Sequence, residues 1–500
     1  MKNYRLLLLP LMISAAFEAN SLELSNVIVK SDVSINRQSL NDRLEPLLGS
    51  QIDVSLLNRL LNEISAFYKN QGYLGAQAYF PEQESSDGIL EVCVETAKLK
   101  EIVINDQSQS SKESLFRLLA KARSLQGRDI NSKELNNALL RVRDLNVYDI
   151  SGYFSKPDDS NNEDDDLVNL NLDIRAKKRF GFEALYDNYG NSNTGKNRFS
   201  AVIKSHNTTR HADNLAFLAS VSDKGQSSFL LNYEIPVSTH PTVFGTRVSY
   251  GFYDLKDEYA SLGAKGTAFT LNGYVKEPLV RDSETKLSMT TGTYFKYLED
   301  KLKSYSLNFK KLDYGVSEEF NLENQLGSFK LEHSFGVNLG HIKNQDKYAL
   351  QKDRTFMIGT FASTIEYRFL DNLYVKNALS SQFANQNLDS SDKFIPGGAY
   401  GVAAFENNTA SSDSGIFDDL RVGALFTHKS ALFNVYGAFE QAYARNRNHD
   451  SESFYGLSLG AEANCQGFFV NTSLNKAIGH NSDYAKHSVK LLVKFGYNLI

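Results

Sequence analysis

From Arg179 to the C-terminus the chain is written in segments of about ten residues that alternate apolar and polar side chains, and this two-residue period constrains the fold most. In segment 489–499, Val489, Leu491, Val493, Phe495, Tyr497 and Leu499 share one face, while Lys490, Lys494 and Asn498 share the other. Such a strand can show hydrocarbon to one side and water to the other. Segments 179–188, 198–205, 242–253 and 372–382 read the same way. About sixteen of them fit into ~320 residues, an even number at roughly twenty residues per strand and turn, as a membrane barrel requires. Mean hydropathy is -0.37 and charged residues make up 23%, values that alternating strands reach as readily as a soluble protein does. Beyond the N-terminus no apolar run approaches the roughly 20 residues of a spanning helix.

Composition supports the barrel. There are 26 Tyr, 32 Phe and 32 Gly against 8 Pro, and with no Trp the interfacial girdles fall to Tyr and Phe. A formal net charge of -5 gives no reason to expect nucleic acid as a partner. Cys93 and Cys465 stand far apart in different expected domains and read as unpaired strand residues. Lys2 and Arg5 precede an apolar stretch at 6–16 that is too short to span a bilayer, so 1–19 reads as a secretory signal cleaved after Ser14-Ala15-Ala16 or a few residues later.

A chain of 500 residues exceeds what one core organises, and between the leader and the alternating region two small α+β units follow one another in the pattern βααββ. The first spans 20–98. A strand at 24–29 is followed by a helix capped by Asp53, whose Leu56, Leu57, Leu60, Leu61, Ile64, Phe67 and Tyr68 keep to one face until Gly72. Strands at 73–80 and 89–94 flank the turn signal Ser86-Asp87-Gly88. The second spans 99–177, with a strand at 101–104 and a helix around 114–125. Asn131 and Glu134 then stand at capping-box spacing, and strands at 147–154 and 167–174 close the unit. The acidic run 157–166 between those strands lacks the interspersed Gly and closing Glu of a calcium loop, and reads as a solvated hairpin tip.

Specific motifs then carry a resemblance. Phe67-Tyr68-Lys69-Asn70-Gln71-Gly72-Tyr73-Leu74, Tyr79-Phe80-Pro81-Glu82-Gln83, Asp87-Gly88-Ile89-Leu90 and Val92-Cys93-Val94-Glu95 resemble the first polypeptide-transport-associated (POTRA) domain of two-partner secretion transporters, the haemolysin activator/secretion type. Asp187-Asn188-Tyr189-Gly190-Asn191-Ser192-Asn193-Thr194-Gly195 is similar to the first hairpin of that family's barrel. The resemblance covers the mature chain in order. It implies a monomeric outer-membrane β-barrel of about 16 antiparallel strands over 178–500, preceded by two periplasmic POTRA domains, with no cofactor or metal. It further implies export of a large exoprotein that carries an N-terminal secretion domain, surrounding outer-membrane lipid, and passage through the barrel-assembly machinery during biogenesis. An extended client can add a strand to a POTRA sheet edge, gaining main-chain hydrogen bonds with little demand on sequence. The edges expected to take it are Leu74, Ala76, Ala78 and Phe80 in the first domain and Val147, Asp149, Ser151 and Tyr153 in the second.

The family also has an extracellular loop that folds back into the pore and carries a Val-Arg-Gly/Ala-Tyr/Phe motif. Its match is near 389–415, between the eleventh and twelfth strands, with Gly397, Gly398, Val402, Ala403, Phe405, Asp413 and Gly415 as the motif residues. Ala403 stands where the family has arginine. The arginine's partner is an aspartate in a Phe-x-Asp-x-Gly strand motif, matched here by Phe439, Gln441 and Tyr443, so both halves of the ion pair are absent together. Losing one alone would strand the other at a cost of about 3–5 kcal/mol. The loop is then held by packing and neutral hydrogen bonds, or held loosely. The family's N-terminal plug helix has no counterpart before Leu22, and the chain ends in Leu499-Ile500, leaving Phe495 and Tyr497 for recognition by the assembly machinery.

Rival classes have weaker support. Gly456-Leu457-Ser458-Leu459-Gly460 fits the hydrolase elbow, yet it lies inside an alternating segment with no helix after it. The nine His show no metal-ligand spacing. A barrel-assembly insertase of the same superfamily usually carries more POTRA domains, and a diffusion porin would not explain the two α+β units.

Overall fold

The computed structural model describes residues 22–83, 87–157, 166–239, 241–345, 352–407, 409–447, 451–479, 481, 484–485 and 489–499. The expected leader at 1–19 and most of the acidic run, 158–165, lie outside them. The chain forms two compact units. One holds the chain up to Asn105 with Ala122–Asn136 and Ser151–Leu172; the other holds Asp106–Lys121, Asn137–Ile150 and Asp173–Ile500.

In the first α/β repeat, strand β1 (Asn26–Lys30) leads to helices α1 (Arg37–Leu44) and α2 (Val54–Asn70), then β2 (Gln77–Tyr79) and β3 (Ile89–Glu95). Asp53 caps α2 by accepting from Leu56 N–H at 2.7 Å, one of the donors a helix start leaves unpaired. The face read from the sequence is the buried one: Leu56, Leu60, Ile64, Phe67 and Tyr68 enter a core with Leu24, Leu40, Leu90 and Val92. The sheet order is β1-β3-β2, β1 parallel and β2 antiparallel to the central strand.

The second repeat runs β4 (Lys98–Gln107), α3 (Lys112–Leu118), α4 (Ala120–Arg123), α5 (Ser132–Arg143), β5 (Tyr148–Ser155) and β6 (Leu167–Ala176), with sheet order β4-β6-β5. Burial pushes the Tyr148 hydroxyl up to about 12, so it stays protonated and shares a 2.6 Å hydrogen bond with Ser110 Oγ.

Sixteen strands then close into one antiparallel barrel. The first six are β7 (Phe180–Asp187), β8 (Arg198–His206), β9 (Asn214–Ser222), β10 (Ser227–Pro236), β11 (Val243–Asp254) and β12 (Ala264–Arg281). Next come β13 (Thr285–Leu302), β14 (Leu307–Leu326), β15 (Phe329–Asn344), β16 (Arg354–Leu370) and β17 (Leu373–Ala384). The last five are β18 (Ser414–His428), β19 (Ala431–Arg445), β20 (Ser451–Cys465), β21 (Phe468–Ile478) and β22 (Lys490–Leu499). Closure is made by β22 against β7, from Lys494 opposite Asp187 to Leu499 opposite Phe182. Leu491, Phe495 and Leu499 of β22 are exposed on the outer face, as the alternation requires, whereas Leu492 is buried. A barrel of this strand number encloses a lumen wide enough for water. Cys93 and Cys465 are both free.

Within the second unit, α3, α5 and the turn after α5 meet the turns at one rim of the barrel. Arg117 donates to the Pro236 carbonyl at 3.1 Å and Arg141 to the Pro278 carbonyl at 2.9 Å. Asn214 donates to the Leu145 carbonyl at 2.9 Å. Arg281 grips Asp144 with two bonds, of 2.8 and 3.2 Å, the bidentate geometry in which guanidinium and carboxylate bind best. Replacing Arg281 by Ala therefore releases the end of α5. Amide hydrogen exchange over 137–145 should rise several-fold while β19 is unaffected; unchanged exchange would show that the pair contributes nothing to this contact.

The pore loop and the sheet edges

The segment between β17 and β18 enters the barrel and packs on its inner wall. Its tip buries Val402, Ala404 and Phe405 against Ala442, Ala444 and Phe454, with the rings of Phe405 and Phe454 5.0 Å apart and edge to face. Fully burying Val402 and Phe405 is worth about 1.5–3 kcal/mol each. The approach is possible because position 456 is glycine: a Cβ there would stand 2.8 Å from Val402 Cγ1. Gly398 takes a positive φ of 93°, and Asn407 fills the space its side chain would need. Gly397, Asp413 and Gly415 are buried as well. The Asp413 carboxylate accepts from Leu388 N–H at 2.7 Å, tying the two limbs of the loop together, and from Arg447 N–H at 3.2 Å, tying the loop to the segment after β19.

The wall partner is Glu440 rather than Gln441, which corrects the sequence expectation. Along β19, Ala438, Glu440, Ala442 and Ala444 are buried on the lumen side, while Phe439 and Tyr443 are exposed on the outer face. Gln441 shares that outer face and donates to Asp418 Oδ2 at 3.1 Å. Matching the strand motif one residue late moves every side chain to the wrong side of the wall, because the period is two. The lumen side of β19 thus carries a carboxylate opposite Ala403. Glu440 Oε2 accepts the Ala403 backbone N–H at 2.7 Å, and Ser458 Oγ lies 2.9 Å from Oε1. A backbone donor stands where the resemblance implies a guanidinium.

Two further anchors were not foreseen from the sequence. Asp389 of the loop receives Lys311 at 2.7 Å, and Lys311 also reaches Asp300 at 3.2 Å. Asp392 receives Lys296, which lies 3.1 Å from Asp313. Both lysines stand on the β13–β14 wall. The side chains of Asp389 and Asp313 are 5% and 0% exposed, so these pairs are better shielded than surface pairs worth about 0.2–1 kcal/mol. At the tip, Lys490 donates to the Phe405 carbonyl and Lys196 pairs with Glu406 at 3.3 Å. The loop is thus fastened to two stretches of wall rather than loosely seated.

Ser458, the centre of the expected elbow motif, sits within β20, and its hydroxyl is buried between Glu440 and Asn475. No strand-to-helix turn exposes it as that chemistry demands.

The sheet edges also differ from expectation. In the first repeat the strand proper is only Gln77–Tyr79, and Ala78 N–H, which turns away from β3, is taken by Ser65 Oγ at 2.9 Å. Leu74 donates to the Ile130 carbonyl at 3.1 Å and accepts from Ala97 N–H at 2.9 Å, so it is already engaged. Ala76 and Ala78 point into the core, and Phe80 lies beyond the strand and packs on that core. In the second repeat β5 is an outer strand, but the Val147 carbonyl accepts Lys177 N–H at 3.0 Å, on the β6 side. By strand alternation the main chain of Val147, Asp149, Ser151 and Tyr153 faces inward, and that of Tyr148, Ile150, Gly152 and Phe154 faces out. Arg143 occupies the Ile150 carbonyl at 2.6 Å, and beyond it Gly152 and Phe154 follow as the next outward groups.

Comparison with known proteins agrees with this architecture. A family model described as haemolysin secretion/activation protein ShlB/FhaC/HecB matches residues 167–463, and one for the ShlB-type POTRA domain matches 22–96. The heme/hemopexin transporter protein HuxB of Haemophilus influenzae is 27% identical over 90% of this chain and 83% of its own length. The outer membrane transporter CdiB of Dickeya dadantii is 22% identical over 72% of this chain and 65% of its own. Among solved structures, CdiB from Escherichia coli superposes with a TM-score of 0.77 at 14% identity, covering 97% of this chain and 92% of that one. BamA from Haemophilus ducreyi gives 0.58 at 13% identity, covering 95% and 100%. These structural likenesses concern the fold.

If Glu440 holds the loop, Glu440→Ala leaves the buried Ala403 N–H without its acceptor while Ser458 keeps Asn475, a loss of about 1–3 kcal/mol in loop seating. Gln441→Ala should leave the loop unmoved. Protease accessibility of 397–407 in outer-membrane vesicles separates the two: cleavage should accelerate only in the Glu440 variant. Equal acceleration in both would return the wall contact to Gln441.

Proposed function

The chain belongs to the haemolysin secretion/activation protein family, and from that premise we infer how its parts divide the work of export. It is an outer-membrane transporter that passes a partner exoprotein from the periplasm outward, with its POTRA domains in the periplasm. We propose that the two domains at 20–98 and 99–177 hold the client's N-terminal secretion domain as an extended chain, and that the barrel lumen is the conduit. The observation that carries this reading is the pore loop, which enters a lumen of sixteen strands and is fastened by shielded polar contacts rather than by continuous strand pairing. Such contacts can be exchanged for contacts with a passing chain. In the second repeat the client strand would pair with the outward groups of Gly152 and Phe154, beside the exposed rings of Tyr153 and Phe154. The client's folding outside would draw it onward, with no nucleotide consumed. One protomer suffices, since the barrel closes on itself. Insertion of the barrel by the assembly machinery would read Phe495 and Tyr497 on the last strand.

Deleting 22–176 should leave a barrel that inserts and keeps its heat-modifiable gel mobility, because the closing strands start at Phe180. Export should stop. Wild-type levels of the exoprotein in the medium of such a strain would remove the recognition role from these domains.

A further inference from the structure

The lipid-facing wall carries a polar group where the alternation calls for an apolar one. Along β18 the outer row is Ile416, Asp418, Leu420 and Val422, and its three aliphatic residues are exposed as lipid contact requires. Asp418 stands among them. Asn377 of β17 donates to its Oδ1 at 2.6 Å and Gln441 of β19 to its Oδ2 at 3.1 Å, so three adjacent strands share one polar spot on their outer face. An ionisable residue at membrane depth is costly and marks a functional site. Two amide donors leave this carboxylate with acceptor capacity to spare.

A second feature lies above it. The turns that meet α3 and α5 form the periplasmic rim, so strand alternation puts the end of β17, the start of β18 and the end of β19 at the opposite, outward rim. An open cavity of about 450 Å³ lies there. Phe383, Ile416 and Tyr443 give it an apolar wall, and Arg445 and Arg447, both exposed, give it two guanidinium groups. Among the described residues neither guanidinium is paired with a carboxylate. Asp413 also lines the cavity, but its carboxylate is buried and taken by the Leu388 and Arg447 N–H groups, with Lys393 at 3.7 Å. Ser414 stands opposite Arg445 in the ladder. From there Asp418 is four positions on, about 13 Å along the strand and roughly 10 Å deeper in the leaflet once the barrel tilt is allowed for.

We infer that this strip of wall, from Arg445 and Arg447 down to Asp418, binds one phosphorylated, hydroxyacylated glycolipid of the outer leaflet. Each level selects for it. The guanidinium fork matches phosphate. Deeper in the leaflet Asp418 requires a hydroxyl or an amide N–H, which such a glycolipid carries where its acyl chains begin. A glycerophospholipid has only ester oxygens there, which accept and cannot donate. Leu420 and Val422 then lie along the chains.

The test uses the purified, delipidated full chain and native mass spectrometry, with lipid A, dephosphorylated lipid A and phosphatidylglycerol as probes and excess inorganic phosphate as competitor. Wild type should retain one lipid A at least tenfold more tightly than phosphatidylglycerol, and inorganic phosphate should not displace it. Arg445→Gln with Arg447→Gln should weaken retention at least tenfold, and removing the phosphates from the lipid should weaken it as much. Asp418→Leu should keep the phosphate dependence and bind the two phosphorylated lipids alike. Heat-modifiable gel mobility confirms a closed barrel in each variant, and the comparison of lipids on wild type needs no variant at all. Equal retention of lipid A and phosphatidylglycerol by wild type, displacement by inorganic phosphate, or undiminished retention by the double arginine variant overturns the site and leaves the transport function standing.

Discussion

A polypeptide can cross hydrocarbon only if every main-chain donor and acceptor is satisfied within the protein, and here that demand is met by pairing β22 with β7. Everything else follows from closure. The two-residue period sets the outer row of Leu, Val, Phe and Tyr against lipid and the inner row against water, so the wall sets its buried carboxylates and lysines on the inner side. Those inner groups are what the loop between β17 and β18 uses. A barrel of fewer strands would have filled its interior with side chains and left no room for it.

The loop shows how a buried carboxylate can seat a segment without a cationic partner. With Ala403 in place of an arginine, a buried carboxylate would be stranded at a cost of about 3–5 kcal/mol unless another donor reached it. Glu440 is served by a backbone N–H and a serine hydroxyl, and ionic anchoring stands on the β13–β14 wall instead, where Lys296 and Lys311 hold Asp392 and Asp389. Two separated anchors hold the loop at its ascending limb and at its tip, which is what a segment needs if it is to fill the lumen at rest and still come away without unfolding the wall.

The barrel was legible in the sequence because alternation is a property of each strand alone, and α2 because its apolar stripe is long. α1 was expected from the βααββ pattern but not placed, since Arg37–Leu44 brings only Leu40 and Leu44 to the core. The placement of the wall motif failed by one residue. The signal for the right facing was present: small residues at 438, 442 and 444 suit a wall against which a loop packs, and aromatic ones at 439 and 443 suit lipid. The lysine anchors could not be read, because nothing local links Lys311 to Asp389, 78 positions away. Edge strands misled for a related reason: side-chain alternation tells which face is buried, whereas strand addition depends on where main-chain groups point and on whether Ser65 or Arg143 has already taken them.

If the client passes through the space the loop occupies, the loop must leave its seat for export. With cysteine at 402 a sulfur takes the place of the Cγ1 that a Cβ at 456 would meet at 2.8 Å, so cysteines at both positions, with Cys93 and Cys465 replaced by Ser, should form a disulfide between loop and wall. Export of the exoprotein by this variant should cease under oxidising conditions and resume on reduction. Export at the wild-type rate from fully cross-linked protein would mean that the client takes another path.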